Sequence, residues 1–154
     1  MPAAAAATFR AHFAANQRLT GLMLKNGVKL LAGSDLGGIW IVPGASLHQE
    51  FAELAAAGLS PLQVLQSTTL NGAEFLGRQA HMGTVAEGKT ADLVLLSANP
   101  LADVAHLGRI SGVVLKGRYF SKAQLDAMKQ GAAQAYAAQP LKALSAALDP
   151  LHVH

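Results

Sequence analysis

The sequence contains no cysteine, little charge and few aromatic side chains. The absence of cysteine excludes a disulfide framework, a cysteine-ligated zinc and a thiol nucleophile, so any metal site must use His, Asp, Glu or Lys. Charged residues make up 14% of the chain and hydrophobic residues 51%, which argues against disorder and indicates much surface meant for burial. The Lys and Arg residues are scattered and never form a run of three, so a nucleic-acid partner is disfavoured.

Long apolar runs are also missing. No segment approaches the ~20 continuous apolar residues of a membrane span. The first stretch, "MPAAAAATFRAHF", is interrupted by Arg10 and His12 and has no charged segment in front of it, unlike a signal peptide. We therefore expect a soluble, cytoplasmic protein. The 154 residues suffice for one domain with a core but not for a complete eight-stranded α/β barrel, which needs roughly 250.

The first part of the chain has the alternating pattern of an α/β protein. Apolar residues at helical spacing predict a helix over 8–25, with Thr8 as its N-cap and Gly27 as the left-handed residue that ends it. The next run, "VKLLAG" at 28–33, is short, apolar and bounded by glycines, so it predicts a buried strand.

Two helices are predicted after that strand. One covers residues 46–57, where Ser46 and Gln49 have the spacing of a capping box. The other covers 61–76 and begins with Ser60 as cap and a proline at the first helical position. The pattern is therefore one strand followed by two consecutive helices.

From residue 82 onward the period changes to that of strands. "ADLVLLS" predicts one strand, and Lys116-Gly117 predicts a tight hairpin turn between two very short strands. This β segment is too small to form a closed sheet by itself. A helix is predicted over 121–137, with Ser121 as cap and Leu125 and Met128 as apolar anchors, and a short helix after Pro140.

Asp35 is the first candidate functional residue, because it stands at the end of the apolar run in "VKLLAGSDLGG". A carboxylate at the end of a buried strand costs several kcal/mol if it has no partner, so a backbone cap, a cation or a substrate should be near it. Ser34, Asp35 and His48 supply the residue types of a nucleophilic triad, but a Gly-x-Ser-x-Gly elbow is missing and adjacent residues of a strand point apart. The glycines around Asp35 match neither nucleotide-binding pattern.

Three other positions have both a structural and a functional interpretation. Trp40 could line a substrate pocket or pack the loop after the strand. His48 could face a substrate, although a histidine in the first turn of a helix is more often bonded to the backbone. His152 and His154 form a His-x-His pair near the end of the sequence, where frayed structure disfavours a metal site.

Several segments, taken together, resemble the carboxyl-terminal part of the amidohydrolase superfamily, with imidazolonepropionase-like or prolidase-like metal-dependent hydrolases as the most similar branch. The resemblance covers about residues 20 to 120. Its most specific segment is "GTVAEGKTADLVLL", and the others are "LLAGSD", "LHQEFAELAAAGLSPLQVLQSTTLNGAEFLG" and "ISGVVLKGRYF".

The resemblance implies an α/β fold made of the last part of a (β/α)8 barrel and part of a small β-sandwich, so the barrel in this chain would be incomplete. It implies a terminal barrel segment over 1–81, a sandwich segment over 82–120 and a helical tail over 121–154. It further implies that Asp35 lies at the position of the family's metal-binding aspartate and is both ligand and general base. Trp40 and His48 would then lie near the substrate, a small-molecule amide, cyclic amide or dipeptide.

The sequence lacks the other ligands of that family: a His-x-His pair on the first barrel strand, a bridging Lys or Glu and histidines from the fifth and sixth strands. The resemblance therefore implies a divalent metal, with zinc as first choice, only if other sequence or another chain supplies those ligands. The chain alone should be an inactive part of a hydrolase of C–N bonds, with a complementary barrel chain as a possible partner. The alternative is a non-catalytic α+β module that buries its apolar surface in a homo-oligomer.

Overall fold

A computed structural model describes residues 3–35 and 41–137. The described chain forms five α-helices, one 3₁₀ turn and a sheet of three antiparallel strands. In chain order these are α1 (Ala3–Lys25), α2 (Ala45–Ala56), α3 (Pro61–Thr68), α4 (Leu70–Phe75), β1 (Leu93–Leu96), the 3₁₀ turn (Val104–Gly108), β2 (Ile110–Leu115), β3 (Arg118–Ser121) and α5 (Lys122–Ala137). The fold is thus mixed α and β, as the sequence predicts.

The core lies between the helices and the sheet. Its buried side chains come from α2, the loop after it, α3 and the 3₁₀ turn, and they are Phe51, Leu54, Leu59, Val64 and Leu107. Leu96 of β1 packs against this cluster from the sheet, and Leu30 packs against it from the segment after α1. Within the described residues, no helix is both long enough and apolar enough to span a lipid bilayer.

Local capping signals predict some helix ends well. Ser60 caps α3, its hydroxyl accepting from the N–H of Gln63 at 3.3 Å while the Gln63 side chain accepts from the N–H of Ser60 at 2.9 Å. Ser121 and Gln124 form the same reciprocal pair at the start of α5. Gly27 has the predicted positive φ of 77° after α1.

Two predicted caps are wrong. The alanines before Thr8 extend α1 back to Ala3, and the Thr8 hydroxyl instead donates to the carbonyl of Ala4 inside the helix, at 3.1 Å. Ser46 lies within α2, whose N-cap is Gly44, and the Ser46 hydroxyl accepts from the N–H of Val42 at 2.9 Å. Neither side chain therefore caps the first turn of its helix.

The helix predicted over 61–76 is broken at Thr69, whose φ of −132° and ψ of −82° are not helical. The Thr69 hydroxyl donates to the carbonyl of Leu65 at 2.6 Å, a local bond that competes with the regular helical pattern. On α5, Leu125 is half-buried as predicted, but Met128 is 53% exposed and does not anchor the helix.

The hairpin turn forms at Lys116-Gly117, as the sequence predicts. Both residues have positive φ, 50° and 79°, which is the backbone of a type I′ turn and suits the twist of two short strands. Pairing of β2 with β3 places Leu115 opposite Arg118 at the turn. The short helix predicted after Pro140 lies outside the described residues.

Candidate functional site

The segment over 28–35, predicted to be a strand over 28–33, forms no sheet ladder and has no regular secondary structure in this chain. It nevertheless retains the alternation of a strand, because Leu30, Ala32 and Ser34 are half-buried whereas Leu31 and Asp35 are exposed. A ladder requires a neighbouring strand, and no other strand of the described residues lies beside this segment. The prediction of a buried strand over 28–33 is therefore wrong for the described residues, where the segment is only half-buried along one face and has no strand partner.

Helices α2 to α4 hold this segment through its backbone. The side chain of Asn71 donates to the carbonyl of Leu30 at 2.9 Å, and the N–H of Ala32 donates to the carbonyl of Ser67 at 3.0 Å. The N–H of Gly33 donates to the carboxylate of Glu50 at 3.4 Å. These three bonds satisfy backbone groups that a neighbouring strand would otherwise satisfy.

Asp35 ends this segment in an exposed position. Its φ of 49° lies in the left-handed region, which Asp tolerates better than most residues and which turns the chain away from the extended direction. Asp35 thus lies on the open face of a segment whose half-buried residues pack on the helices. The next residues, 36–40, include Trp40 and lie outside the described part of the chain.

His48 is exposed on α2, and its ring meets the ring of buried Phe51 edge to face, with centroids 5.6 Å apart and planes at 89°. The contact fixes one side of the imidazole on the edge of the core and leaves the rest open to solvent. His152 and His154 lie outside the described residues.

The described residues do not by themselves make a metal site. Across 3–35 and 41–137, no group of three His, Cys, Asp or Glu side chains converges to hold an ion. Catalytic zinc needs three protein ligands and structural zinc needs four, so one exposed carboxylate at Asp35 is not sufficient. A resident divalent ion would need donors from residues beyond the described ones.

A groove between α1 and α2 is one of the cavities that the described residues form, and neither Asp35 nor His48 lines it. It is lined by Phe13, Gln17, Thr20, Glu50 and Leu54, among others, and its volume is about 160 Å³. Ligand pockets usually measure about 300–1,000 Å³. We therefore do not assign a substrate to this groove.

Lys89 and Asp92 hold turns in place. The ammonium of Lys89 donates to the carbonyl of Gln79 and to the hydroxyl of Thr84, each at 2.6 Å. The carboxylate of Asp92 accepts from the N–H of Lys116 at 2.6 Å, which ties the start of β1 to the hairpin turn. Both charged side chains are thus used for structure.

Among the described residues, the pKa of the Asp126 carboxyl is shifted from its usual value. A hydrogen bond from Lys122 lowers the pKa of the Asp126 carboxyl below its usual value of 3.8, desolvation opposes this shift, and the positive charges of Lys122 and Lys129 add to it. These two residues are one helical turn apart on α5, which packs against β2 and β3. The shift is thus a consequence of the ion pair on α5 and does not involve Asp35.

Comparison with known proteins identifies the family. A sequence model of the amidohydrolase family matches residues 14–119, which are most of the chain. This chain belongs to the amidohydrolase family. The matched range includes the segment that carries Asp35, the helices that hold it, and β1, β2 and the first half of β3.

Individual members of the amidohydrolase family cover the same region. Ochratoxinase from Aspergillus niger is 33% identical over 84 residues, which are 53% of this chain and 16% of ochratoxinase. The solved structure of an Xaa-Pro dipeptidase with methionine in its active site aligns with a TM-score of 0.61 and 25% identity, over 68% of this chain and 25% of the dipeptidase. Molinate hydrolase aligns with a TM-score of 0.60 and 25% identity, over 66% of this chain and 25% of that enzyme. This chain thus spans about a quarter or less of these relatives.

Proposed function

We propose that this chain is the carboxyl-terminal portion of an amidohydrolase-type hydrolase of C–N bonds. The observation that carries the proposal is the family match over residues 14–119 in a chain that spans only 16% of ochratoxinase and 25% of the dipeptidase. The substrate would be a small-molecule amide or a dipeptide. In this proposal residues 1–81 complete a barrel, 82–120 form part of the sandwich, and 121–154 are a tail.

In this proposal Asp35 contributes one carboxylate to a divalent metal centre, with zinc as first choice. One feature of the segment supports that role: its residues alternate between a face packed on the helices and an open face, and Asp35 belongs to the open face. Active sites of α/β barrels lie at the carboxyl ends of their strands, where this carboxylate would be. The remaining ligands would come from other sequence or from a complementary barrel chain, and Trp40 and His48 would lie on the substrate side.

A chimera tests the proposal directly. In the Xaa-Pro dipeptidase, the region that corresponds to residues 14–119 is replaced by these residues, and bound zinc and hydrolysis of an Xaa-Pro dipeptide are measured. We expect stoichiometric zinc and measurable hydrolysis from the chimera but neither from this chain alone. Asp35→Asn, which keeps the shape and removes the charge, should lower hydrolysis by about a hundredfold or more.

Glu87→Gln is the matched control, because it removes an exposed carboxylate from the turn region before β1. It should leave hydrolysis unchanged. Equal activity of the Asp35→Asn and parent chimeras, or stoichiometric zinc in the lone chain, would contradict the proposal.

A non-catalytic, self-associating module is the second candidate. It is favoured by large apolar side chains that the described chain leaves open, such as Phe75 at 77% and Val85 at 84% exposure. Light scattering of the lone chain tests this candidate. A self-associating module should form an oligomer of defined mass, and Asp35→Ala should not change that mass. An inactive chimera together with such an oligomer would favour this second candidate.

A further inference from the structure

Glu50 reaches from α2 to the backbone of the segment that displays Asp35. Its carboxylate accepts from the N–H of Gly33 at 3.4 Å, across 17 positions of sequence. Glu50 itself is half-buried, although it lies on a helix between exposed Gln49 and buried Phe51. At 3.4 Å this contact is longer than a strong charge-assisted bond, but it is a side-chain contact that limits where the Gly33 backbone lies relative to α2.

Asp35 has a positive φ of 49°, which Asp adopts more readily than most residues but which is less populated than the extended conformation. A contact that fixes the backbone just before Asp35 therefore helps to select this conformation. The bonds from Asn71 and Ser67 hold positions 30 and 32, farther back along the segment. Of the three bonds, the one from Glu50 lies nearest to Asp35, two residues before it.

We propose that Glu50 is a positioning residue for Asp35: by holding the N–H of Gly33, it fixes the direction in which the chain presents the Asp35 carboxylate. The use of Asp35 as a metal ligand rests on the proposed function. The contact of Glu50 with Gly33 and its effect on the backbone do not depend on that function. Glu50 thus acts through the backbone and not as a ligand or as a group that touches substrate.

The test uses the full chain labelled with ¹⁵N and compares Glu50→Ala with Glu50→Gln. Both variants are neutral at position 50, so they alter the local charge equally, but only Gln keeps an acceptor oxygen at the same reach. We expect the Gly33 amide to exchange roughly fivefold faster in the Ala variant than in the Gln variant. The order parameter of the Asp35 amide should fall in the Ala variant and return toward the parent value with Gln.

The Ala32 amide is the internal control, because the carbonyl of Ser67 and not a side chain of α2 holds it. Its exchange rate should be the same in both variants, and circular dichroism should show α2 intact. The proposal is overturned if the Ala variant leaves Gly33 and Asp35 unchanged, if Gln behaves like Ala, or if Ala32 loses protection to the same extent.

The dipeptidase chimera supplies the second measurement. Glu50→Ala should lower kcat with little change in KM, and Glu50→Gln should restore kcat, because a displaced Asp35 impairs turnover more than binding. A chimera with intact Glu50 that fails to hydrolyse the dipeptide contradicts the proposed function, and the amide measurements then still decide the role of Glu50. An active chimera whose kcat is unaffected by Glu50→Ala overturns the positioning role.

Discussion

At the scale of single residues, side chains that bond to distant backbone take the place of regular secondary structure at several loops and turns. Asn71 holds the carbonyl of Leu30 across 41 positions, and Asp92 holds the N–H of Lys116 across 24. Lys89 serves the turn before the sheet, where the backbone over 78–90 forms turns and bends. These bonds determine how the loops lie, because each satisfies a backbone group that has no ladder or helix partner there.

Lys89→Met should therefore destabilise the chain by about 0.5–1.5 kcal/mol. Met keeps the length and the apolar stem but removes the ammonium that donates to Gln79 and Thr84, which leaves their acceptors without this donor. The free energy of unfolding in urea measures the effect. Lys129→Met on the exposed surface of α5 is the control and should change stability by less than about 0.5 kcal/mol; equal effects of the two substitutions would show that the Lys89 bonds contribute little.

The candidate site shows which residues can be predicted from sequence. Asp35 could be singled out because a carboxylate that follows a buried apolar run is a local signal. Glu50 could not, because its partner is a backbone N–H on a segment 17 positions away, and its own neighbours show only an ordinary helix. A role that depends on a distant backbone group leaves no pattern in the local sequence.

At the scale of elements, the helix caps depend on local bonds, whereas the predicted strand over 28–33 depends on bonds to distant residues. Ser60 and Ser121 were predictable because capping is completed within four residues. The strand over 28–33 was not, because a strand is formed by hydrogen bonds to another strand and this chain provides none beside it among the described residues. Alternating burial survives in that segment because it depends only on the helices beneath.

The packing of α1 on α2 depends on a glycine. A Cβ on Gly21 would lie 2.5 Å from the carbonyl oxygen of Ala57, which is backbone and cannot move aside without shifting the end of α2. Gly21→Ala should therefore destabilise the chain by about 1–3 kcal/mol despite the better helix propensity of Ala. Thermal unfolding followed by circular dichroism measures this.

Gly131→Ala is the matched control for that substitution. Gly131 also lies within a helix, α5, but a Cβ there would meet no atom within 4 Å. It should stabilise the chain by about 0.5–1 kcal/mol, because Ala loses less conformational entropy than Gly in a helix. If Gly21→Ala also stabilised the chain, the close approach of α1 to Ala57 would not exist in solution.

At the scale of the whole molecule, the core occupies one side of the segment over 28–35. Leu30 packs on the cluster of Phe51, Leu54 and Val64, whereas the neighbouring Leu31 is 45% exposed on the opposite face. In a complete barrel the open face of this segment would pack against other strands. The exposed apolar surface of the chain is thus consistent with the proposal that the chain is part of a larger assembly.

Leu30 and Leu31 provide a matched pair for testing whether other sequence covers the open face of this segment. In the lone chain, Leu30→Ala should lower the unfolding free energy by about 1–2 kcal/mol, because Leu30 packs on the core. Leu31→Ala should lower it by less than about 0.5 kcal/mol, because Leu31 is exposed. In the dipeptidase chimera both substitutions should cost about 1–2 kcal/mol or more, since Leu31 would be buried there. Urea unfolding of both proteins, repeated at two concentrations, measures the difference. If Leu31→Ala lowered the unfolding free energy of a monomeric lone chain as much as that of the chimera, this face would not need other sequence to cover it. If the loss in the lone chain grew with protein concentration, a second copy of the chain would be covering the face.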